Sequence, residues 1–202
     1  MSDAHGHHDH HHHHDRTGAK QPEIFSHERA AMLDDPAREA YAPTERIVEL
    51  LDVPPGGRVL DFGAGTGRYA LAIAKAHPDA RVVAYDVQPE FLTMIRDRAH
   101  AAGLANIEAA DAYQGTFERV LAINVLHEIG DADIAAIRNA LAPGGTALVI
   151  DWDGGIERPV GPPNDHAHSI PEALDRLRAA GLRAEQRHDD RFPYHFVLIA
   201  GR

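Results

Sequence analysis

From residue 58 to residue 151, short apolar runs alternate with helix-like stretches, and that alternation constrains the fold more than any other feature of the chain. Arg58–Phe62 (RVLDF) reads as a strand and about 68–76 as a helix. RVVAYD (81–86) is a second strand, after which Pro89, at a first helical position, opens a helix that Gly103 stops. NIEAA (106–110) and FERVLAIN (117–124) are the third and fourth strands. A helix over 131–142 is closed by Pro143-Gly144-Gly145, and TALVID (146–151) is the fifth strand. Such alternation predicts a parallel sheet with helices on both faces. After a Gly/Pro-rich loop (153–169), a helix over about 171–180 stops at Gly181. LRAEQRHDD and YHFVLIAGR then follow with only Arg191-Phe192-Pro193 between them. A parallel crossover needs about a dozen residues or more, so the last strand must run antiparallel. The predicted architecture is α/β, with seven strands, six parallel and the last one reversed.

Residues 22–52 read as two helical pieces ahead of this core. The first, PEIFSHERAAML, stops at Asp34-Asp35-Pro36; the second, TERIVELLDV, has Thr44 as its expected N-cap and ends at Pro54-Pro55-Gly56-Gly57. Residues 1–20 hold eight of the 16 histidines and almost nothing apolar. They are expected to form a disordered tail outside the fold, because so little apolar surface does not offset chain entropy. Neutral imidazoles suit divalent metals, which makes His7, His8, His10, His11 and His12 candidate ligands for a metal on the tail; a purification tag or a native tail without a task is the plainer reading. The expected organisation is thus a tail (1–20) and a single domain (21–202).

Composition narrows the function classes. The chain has no cysteine, which removes disulfides, zinc–thiolate sites and thiol nucleophiles. Its net charge of -11 repels nucleic-acid backbones, so nucleic acid is not expected as a partner. No apolar run approaches the roughly 18–20 residues of a membrane span. The histidines and aspartates at the start do not read as a signal peptide, and the expected location is cytoplasmic.

Directly behind the first strand stand three glycines at alternate positions, in VLDFGAGTGRYAL (59–71). GTGRYA (65–70) formally fits the dinucleotide fingerprint G-x-G-x-x-[GA], a weak signal alone. Asp61 argues against a pyrophosphate there, since a carboxylate repels phosphate but suits an ammonium group or hydroxyls. A second acid, Asp86, closes the next strand, where it can hydrogen-bond a ribose diol; a third, Asp111, follows strand three and can accept from an exocyclic amine. Acids at the carboxyl ends of three successive strands line one crevice, and together they describe a nucleoside without phosphates. On this reading the glycines are bare because the ligand lies across them.

With Val59-Leu60-Asp61-Phe62-Gly63-Ala64-Gly65-Thr66-Gly67 as its first motif, the chain resembles the class I S-adenosylmethionine-dependent methyltransferases, over about residues 40–202. The resemblance implies a Rossmann-like fold and S-adenosylmethionine as cofactor. It implies that Gly63, Ala64, Gly65, Thr66 and Gly67 lie against the methionine part and ribose, that Asp86 takes the ribose hydroxyls with Val87 beside the adenine, and that Asp111 and Ala112 read the adenine amino group. Asn124 is then placed at the sulfonium end. LDDPAREAY (33–41), NVLHEI (124–129), GPPNDHAHS (161–169) and RFPYHFVL (191–198) are similar to the branch of ubiquinone/menaquinone-biosynthesis and small-molecule methyltransferases, in which N-terminal helices form a lid over the cofactor. Two departures stand out: the segment 111–116 is short, and Phe117-Glu118 opens strand four where Phe-Asp is common. The lack of cysteine removes the arsenite methyltransferases. The implied partner is a small-molecule methyl acceptor.

His127 and Glu128, after strand four, are the candidate general bases, since histidine titrates near neutrality; a helix-capping role for His127 is the structural alternative. His166 and His168 are candidate substrate contacts in the loop after strand five. Tyr41 and Phe25 either pack on cofactor or substrate or belong to the interhelix core. Two rival functions remain: a nicotinamide-dependent oxidoreductase, and a non-catalytic protein of methyltransferase fold that binds metal through its tail.

Overall fold

In a computed structural model of the chain, Ser26 and residues 30–202 are described. The histidine-rich tail, Phe25 and most of the first predicted helix lie outside the described residues, so the tail histidines, His7, His8 and His10 to His12 among them, have no structural account here.

Seven strands form one sheet: β1 (Arg58–Phe62), β2 (Arg81–Tyr85), β3 (Ile107–Ala110), β4 (Phe117–Ile123), β5 (Leu141–Trp152), β6 (Arg183–Gln186) and β7 (His195–Gly201), in the order β3-β2-β1-β4-β5-β7-β6. β7 pairs antiparallel with both β5 and β6, and every other pairing is parallel, so six strands run one way and β7 the other. The order reverses direction between β1 and β4, and crevices at such a switch point bind ligands in open α/β sheets.

The central strands read as unbroken apolar runs because helices cover both faces. On one face α2 (Thr44–Leu51), α3 (Arg68–Ala76) and α4 (Pro89–Ala101) bury Ile47, Leu51, Ile73 and Ile95 against Val59, Leu121 and Ile150. On the other, α5 (Asp131–Ala140) and α6 (Ile170–Ala179) bury Ile134, Ile137 and Leu177 against Leu60, Val120 and Val149. α6 starts at a capping box in which Glu172 accepts from the Ser169 backbone N–H at 2.8 Å.

Two boundaries differ from expectation, and the end of the first helix does not. Pro143-Gly144-Gly145 does not separate α5 from the fifth strand: the chain leaves α5 already extended at Leu141, which pairs with Phe117, and a register shift before Arg119 absorbs the irregularity with Gly144 at φ 74°. Thr44 is not an N-cap. Pro43 takes that position, while the Thr44 hydroxyl and N–H both donate to Glu39. Of the first predicted helix, α1 (Ala30–Leu33) is described, and it ends where Asp35 caps a short 3-10 turn, Pro36–Ala40, by accepting from the Ala37 N–H at 2.8 Å.

Candidate active site

The carboxyl ends of β1, β2, β4 and β5 open on one crevice, and the reversed β7 starts at the same end, with His195 paired to Trp152. The turn after β1 is held from below: the N–H groups of Gly63 and Ala64 both donate to the Tyr85 carbonyl at 2.9 Å. Gly63, Gly65 and Gly67 have φ of 75°, 53° and 80°, a region that costs any residue with a Cβ. A Cβ at Gly63 would stand 2.7 Å from Val125, at Gly65 3.0 Å from Leu33, and at Gly67 2.6 Å from Ile95. The glycines are therefore bare because of backbone conformation and protein packing; the expectation that a ligand alone forbids their side chains is corrected.

Asp86 is buried and accepts from the Gly65 N–H at 2.8 Å and the Gln88 N–H at 2.9 Å. Burial raises its pKa, and those backbone donors oppose the rise. Asp61 contrasts with it. The residue is fully buried, neither carboxylate oxygen has a close hydrogen-bond partner, and burial together with the nearby Asp86 charge, opposed by the Ala70 backbone N–H, pushes its pKa up to about 7. Val87 is 57% exposed, unusual for a valine, and Asp111 and Ala112 are exposed beside it at the end of β3. Thr66 turns its hydroxyl to Asp34 at 2.7 Å, and Asp34 pairs with Arg98 at 2.6 Å, which ties the segment after α1 to the glycine turn. Asn124 has a left-handed φ of 53°, and neither end of its side-chain amide is partnered.

On the β5 side, His127 Nδ1 lies 2.8 Å from Asp151 Oδ1, and the His127 backbone N–H donates to Asp151 Oδ2 at 3.0 Å. Asp151 is 1% exposed and also accepts from the Trp152 N–H at 2.7 Å. Burial works against a charged imidazole, but the Asp151 carboxylate and, less strongly, Glu128 outweigh it, so the pKa of His127 is raised. Burial would likewise raise the Asp151 carboxyl, and the His127 contact with the two backbone N–H groups holds it below its ordinary value. Because Nδ1 faces a carboxylate, its hydrogen is assigned there, leaving Nε2 as the basic nitrogen. Glu128 stands 3.5 Å from that Nε2.

The other sequence candidates separate. His168 Nε2 accepts from Arg176 at 2.8 Å, while the same guanidinium holds the Leu126 and Ile129 carbonyls, so His168 sits in a network bracing the segment that carries His127. His166 is exposed on a short turn, Asn164–His166. Tyr41 joins an aromatic group, with ring centroids 5.7 Å from Trp152, 5.9 Å from Tyr194 and 6.0 Å from His195. No group of three or more His, Cys, Asp or Glu side chains among the described residues could hold a metal ion. No helix there is long and apolar enough to cross a membrane.

Sequence reasoning missed Arg38, Asp151, Trp152, Arg158 and His195. Asp151 had a usable signal, being one more acid at a strand tip; the others carried none. The importance of several emerges from one count. Among the described residues, buried side-chain nitrogen and oxygen atoms without a partner fall on six residues: Arg38, Asp61, Tyr69, Asn124, Arg158 and His195. Asp61 and Asn124 stand at the carboxyl ends of β1 and β4 and His195 at the start of the reversed β7, while Tyr69 lies in the first turn of α3 and Arg158 in the loop after β5. Arg38 is close enough to both Tyr69 and His195 to act on them electrostatically. Leaving a buried polar atom unpaired costs about 1–3 kcal/mol, so their concentration at one place marks where a polar ligand is accommodated.

Residues 59–145 match the model of a methyltransferase domain family. Over 167 residues the chain is 29% identical to a 27-O-demethylrifamycin SV methyltransferase of Amycolatopsis mediterranei, covering 72% of this chain and 61% of that protein. Over 116 residues it is 33% identical to a ubiquinone/menaquinone biosynthesis C-methyltransferase of Teredinibacter turnerae, covering 52% and 47%. The chain thus spans less than two thirds of the length of these curated relatives. Among solved structures, a SAM-dependent methyltransferase from Aquifex aeolicus superposes with a TM-score of 0.79 at 24% identity, over 88% of this chain and 98% of that one, and shares the fold.

Proposed function

We propose that the chain is a class I S-adenosylmethionine-dependent methyltransferase, which transfers a methyl group from S-adenosylmethionine to a small-molecule acceptor; the methyltransferase-domain match and the methyltransferase relatives support this reading. The observation that carries the cofactor assignment is Asp61, a buried carboxylate with both oxygens unpaired beside the glycine turn. A cationic ligand relieves that arrangement, whereas a pyrophosphate would aggravate it, which disfavours the nicotinamide reading.

The residues present fit the cofactor. Asp61 would take its ammonium group, and Arg38, whose Nε is buried and unpaired, would take its carboxylate. A carboxylate offers about four acceptor sites, and the backbone occupies two of those on Asp86, which leaves capacity for ribose hydroxyls. The exposed Val87, with Asp111 and Ala112, provides the surface for the adenine, and Asn124 the sulfonium end. When bound, the cofactor supplies a methyl group on a positively charged sulfur, which leaves as a neutral thioether.

His127 is proposed as general base. Asp151 fixes its ring and stabilises its charged form, and Nε2 receives the proton lost by the accepting atom. Tyr41 and the segment after α1 cover the crevice and exclude water, in the role of the lid. Calorimetry tests the cofactor assignment: micromolar binding of S-adenosylhomocysteine with no binding of NAD is expected, and the reverse pattern would end this reading.

A further inference from the structure

His127 sits in a 3-10 turn of three residues, Leu126–Glu128, between β4 and α5. So short a turn fixes little by itself, because its end carbonyls find no partner within it. Asp151 grips it from the sheet side, through the His127 ring at 2.8 Å and the His127 backbone N–H at 3.0 Å. That carboxylate belongs to β5, where Asp151 is held opposite Phe196 of β7. Whether ring and carboxylate meet therefore depends on what holds the turn.

Arg176 of α6 holds it from the other side. Its Nη1 donates to the Leu126 carbonyl at 2.9 Å and its Nη2 to the Ile129 carbonyl at 2.8 Å, so the two bonds bracket His127 and Glu128. Leu126 is buried, where an unpaired carbonyl is costly. The same two nitrogens also reach His168 Nε2 at 2.8 Å and Asp131 Oδ1 at 3.2 Å. Asp131 is largely exposed and adds little. His168 matters more. A guanidinium only donates, so His168 Nε2 accepts and the ring is neutral, in line with the lowering of its pKa by burial and the Arg176 charge. Each terminal nitrogen thus serves two acceptors, a use that suits the planar fork of arginine. The helix behind it is well seated: α6 starts at the Ser169–Glu172 capping box and buries Ala173 and Leu177, one turn before Arg176 and directly after it.

We infer that Arg176 is the positioning residue of the base: from α6 it fixes the Leu126 and Ile129 carbonyls so that the His127 ring stays on Asp151. A displacement of about 1 Å at a reacting group costs about 10²-fold in rate, so a turn held on one side only would not serve. Arg176 touches no reacting atom in this arrangement and acts through the turn. The inference rests on the reading of His127 as base and adds the group that aligns it.

The His127 ring is followed by NMR titration of the full chain saturated with S-adenosylhomocysteine, its resonance assigned by its loss in His127→Ala. In Arg176→Gln the ring should titrate at lower pH than in the unaltered protein, while S-adenosylhomocysteine still binds. The sign is decisive. Removing a positive charge by itself favours the imidazolium and moves the titration up, so a fall reports a loosened contact with Asp151. Arg176→Lys keeps the charge but loses the fork and should fall by less; it also serves if Arg176→Gln does not fold. An unchanged or raised titration in whichever variant folds overturns the inference. Full turnover in His127→Ala overturns the reading of His127 as base, and failure to bind S-adenosylhomocysteine overturns the methyl-transfer reading; the titration decides neither of these.

Discussion

The two halves of the crevice are built differently. On the β1–β2 side the contacts come from backbone and its immediate neighbours: three left-handed glycines, N–H groups on Tyr85, and an Asp86 carboxylate gripped by Gly65 and Gln88. On the β4–β5–β7 side they come from side chains that meet only because the sheet places them together, as with His127 on Asp151 and Trp152 on His195. The first half resembles a mould whose shape is the chain's own conformation. In the second half, residues can change without refolding the turn beneath them. A common cofactor and a variable acceptor would call for that division.

The sharpest way to break the comparison is through His127. If it is the base, His127→Ala should lower kcat by about 10²–10⁴, the range of general-base contributions, and leave S-adenosylhomocysteine binding intact. Full turnover in that variant removes His127 from the chemistry. The same model fixes a pH dependence. The raised pKa of His127 means that the acidic limb of kcat/KM, where the base is protonated and idle, lies above the ordinary histidine value, and Asp151→Asn, which removes the outweighing charge, should move it to lower pH. The cofactor half answers to a different variant: Asp86→Ala should weaken S-adenosylhomocysteine binding by about 1.5–3 kcal/mol, read by calorimetry, and unchanged affinity would remove the ribose assignment.

Stability should separate the halves too. Gly67→Ala places a Cβ 2.6 Å from Ile95 at φ 80°, and about 1–3 kcal/mol of destabilisation is expected in a denaturant melt. His195→Phe deletes two unpaired buried nitrogens and keeps an aromatic ring on Trp152, so stability should be unchanged or rise by about 1 kcal/mol. Equal losses in both variants would mean that the halves do not differ in this way.

The same division explains what could be read in advance. Strand–helix alternation and the short link before β7 gave the sheet and its reversed strand, because periodicity and connection length are local properties. Asp61, Asp86 and the glycines were legible because they lie next to their strands in sequence. What the glycines pack against was not, since Val125, Leu33 and Ile95 arrive from three separate elements. Arg158 and His195 were invisible for a related reason. Nothing local distinguishes a loop arginine or a strand histidine from an ordinary one until the sheet order brings both against Trp152. The early end of α5 was missed because Pro143-Gly144-Gly145 signals a break, and β5 absorbs it as a strand irregularity.

The smallest expected effect tests the most specific feature of the cofactor half. The pKa of Asp61, raised to about 7, lies above its unfolded value, so its contribution to stability is full below that unfolded value and is lost as pH rises through about 7. Ionised Asp61 therefore burdens the free protein at neutral pH. A ligand ammonium placed beside it favours the carboxylate and returns the pKa toward the ordinary range. Near pH 6, where the free carboxyl is mostly protonated, binding should release up to about one proton; near pH 8, where it is mostly ionised, almost none. Titrations of S-adenosylhomocysteine in two buffers of different ionisation enthalpy give that number. Asp61→Asn should abolish the buffer dependence at pH 6, and Asp86→Ala, which removes one of the causes of the raised Asp61 pKa, should reduce it. Proton release that persists in Asp61→Asn would assign the proton to another group and leave the unpaired carboxylate without a ligand.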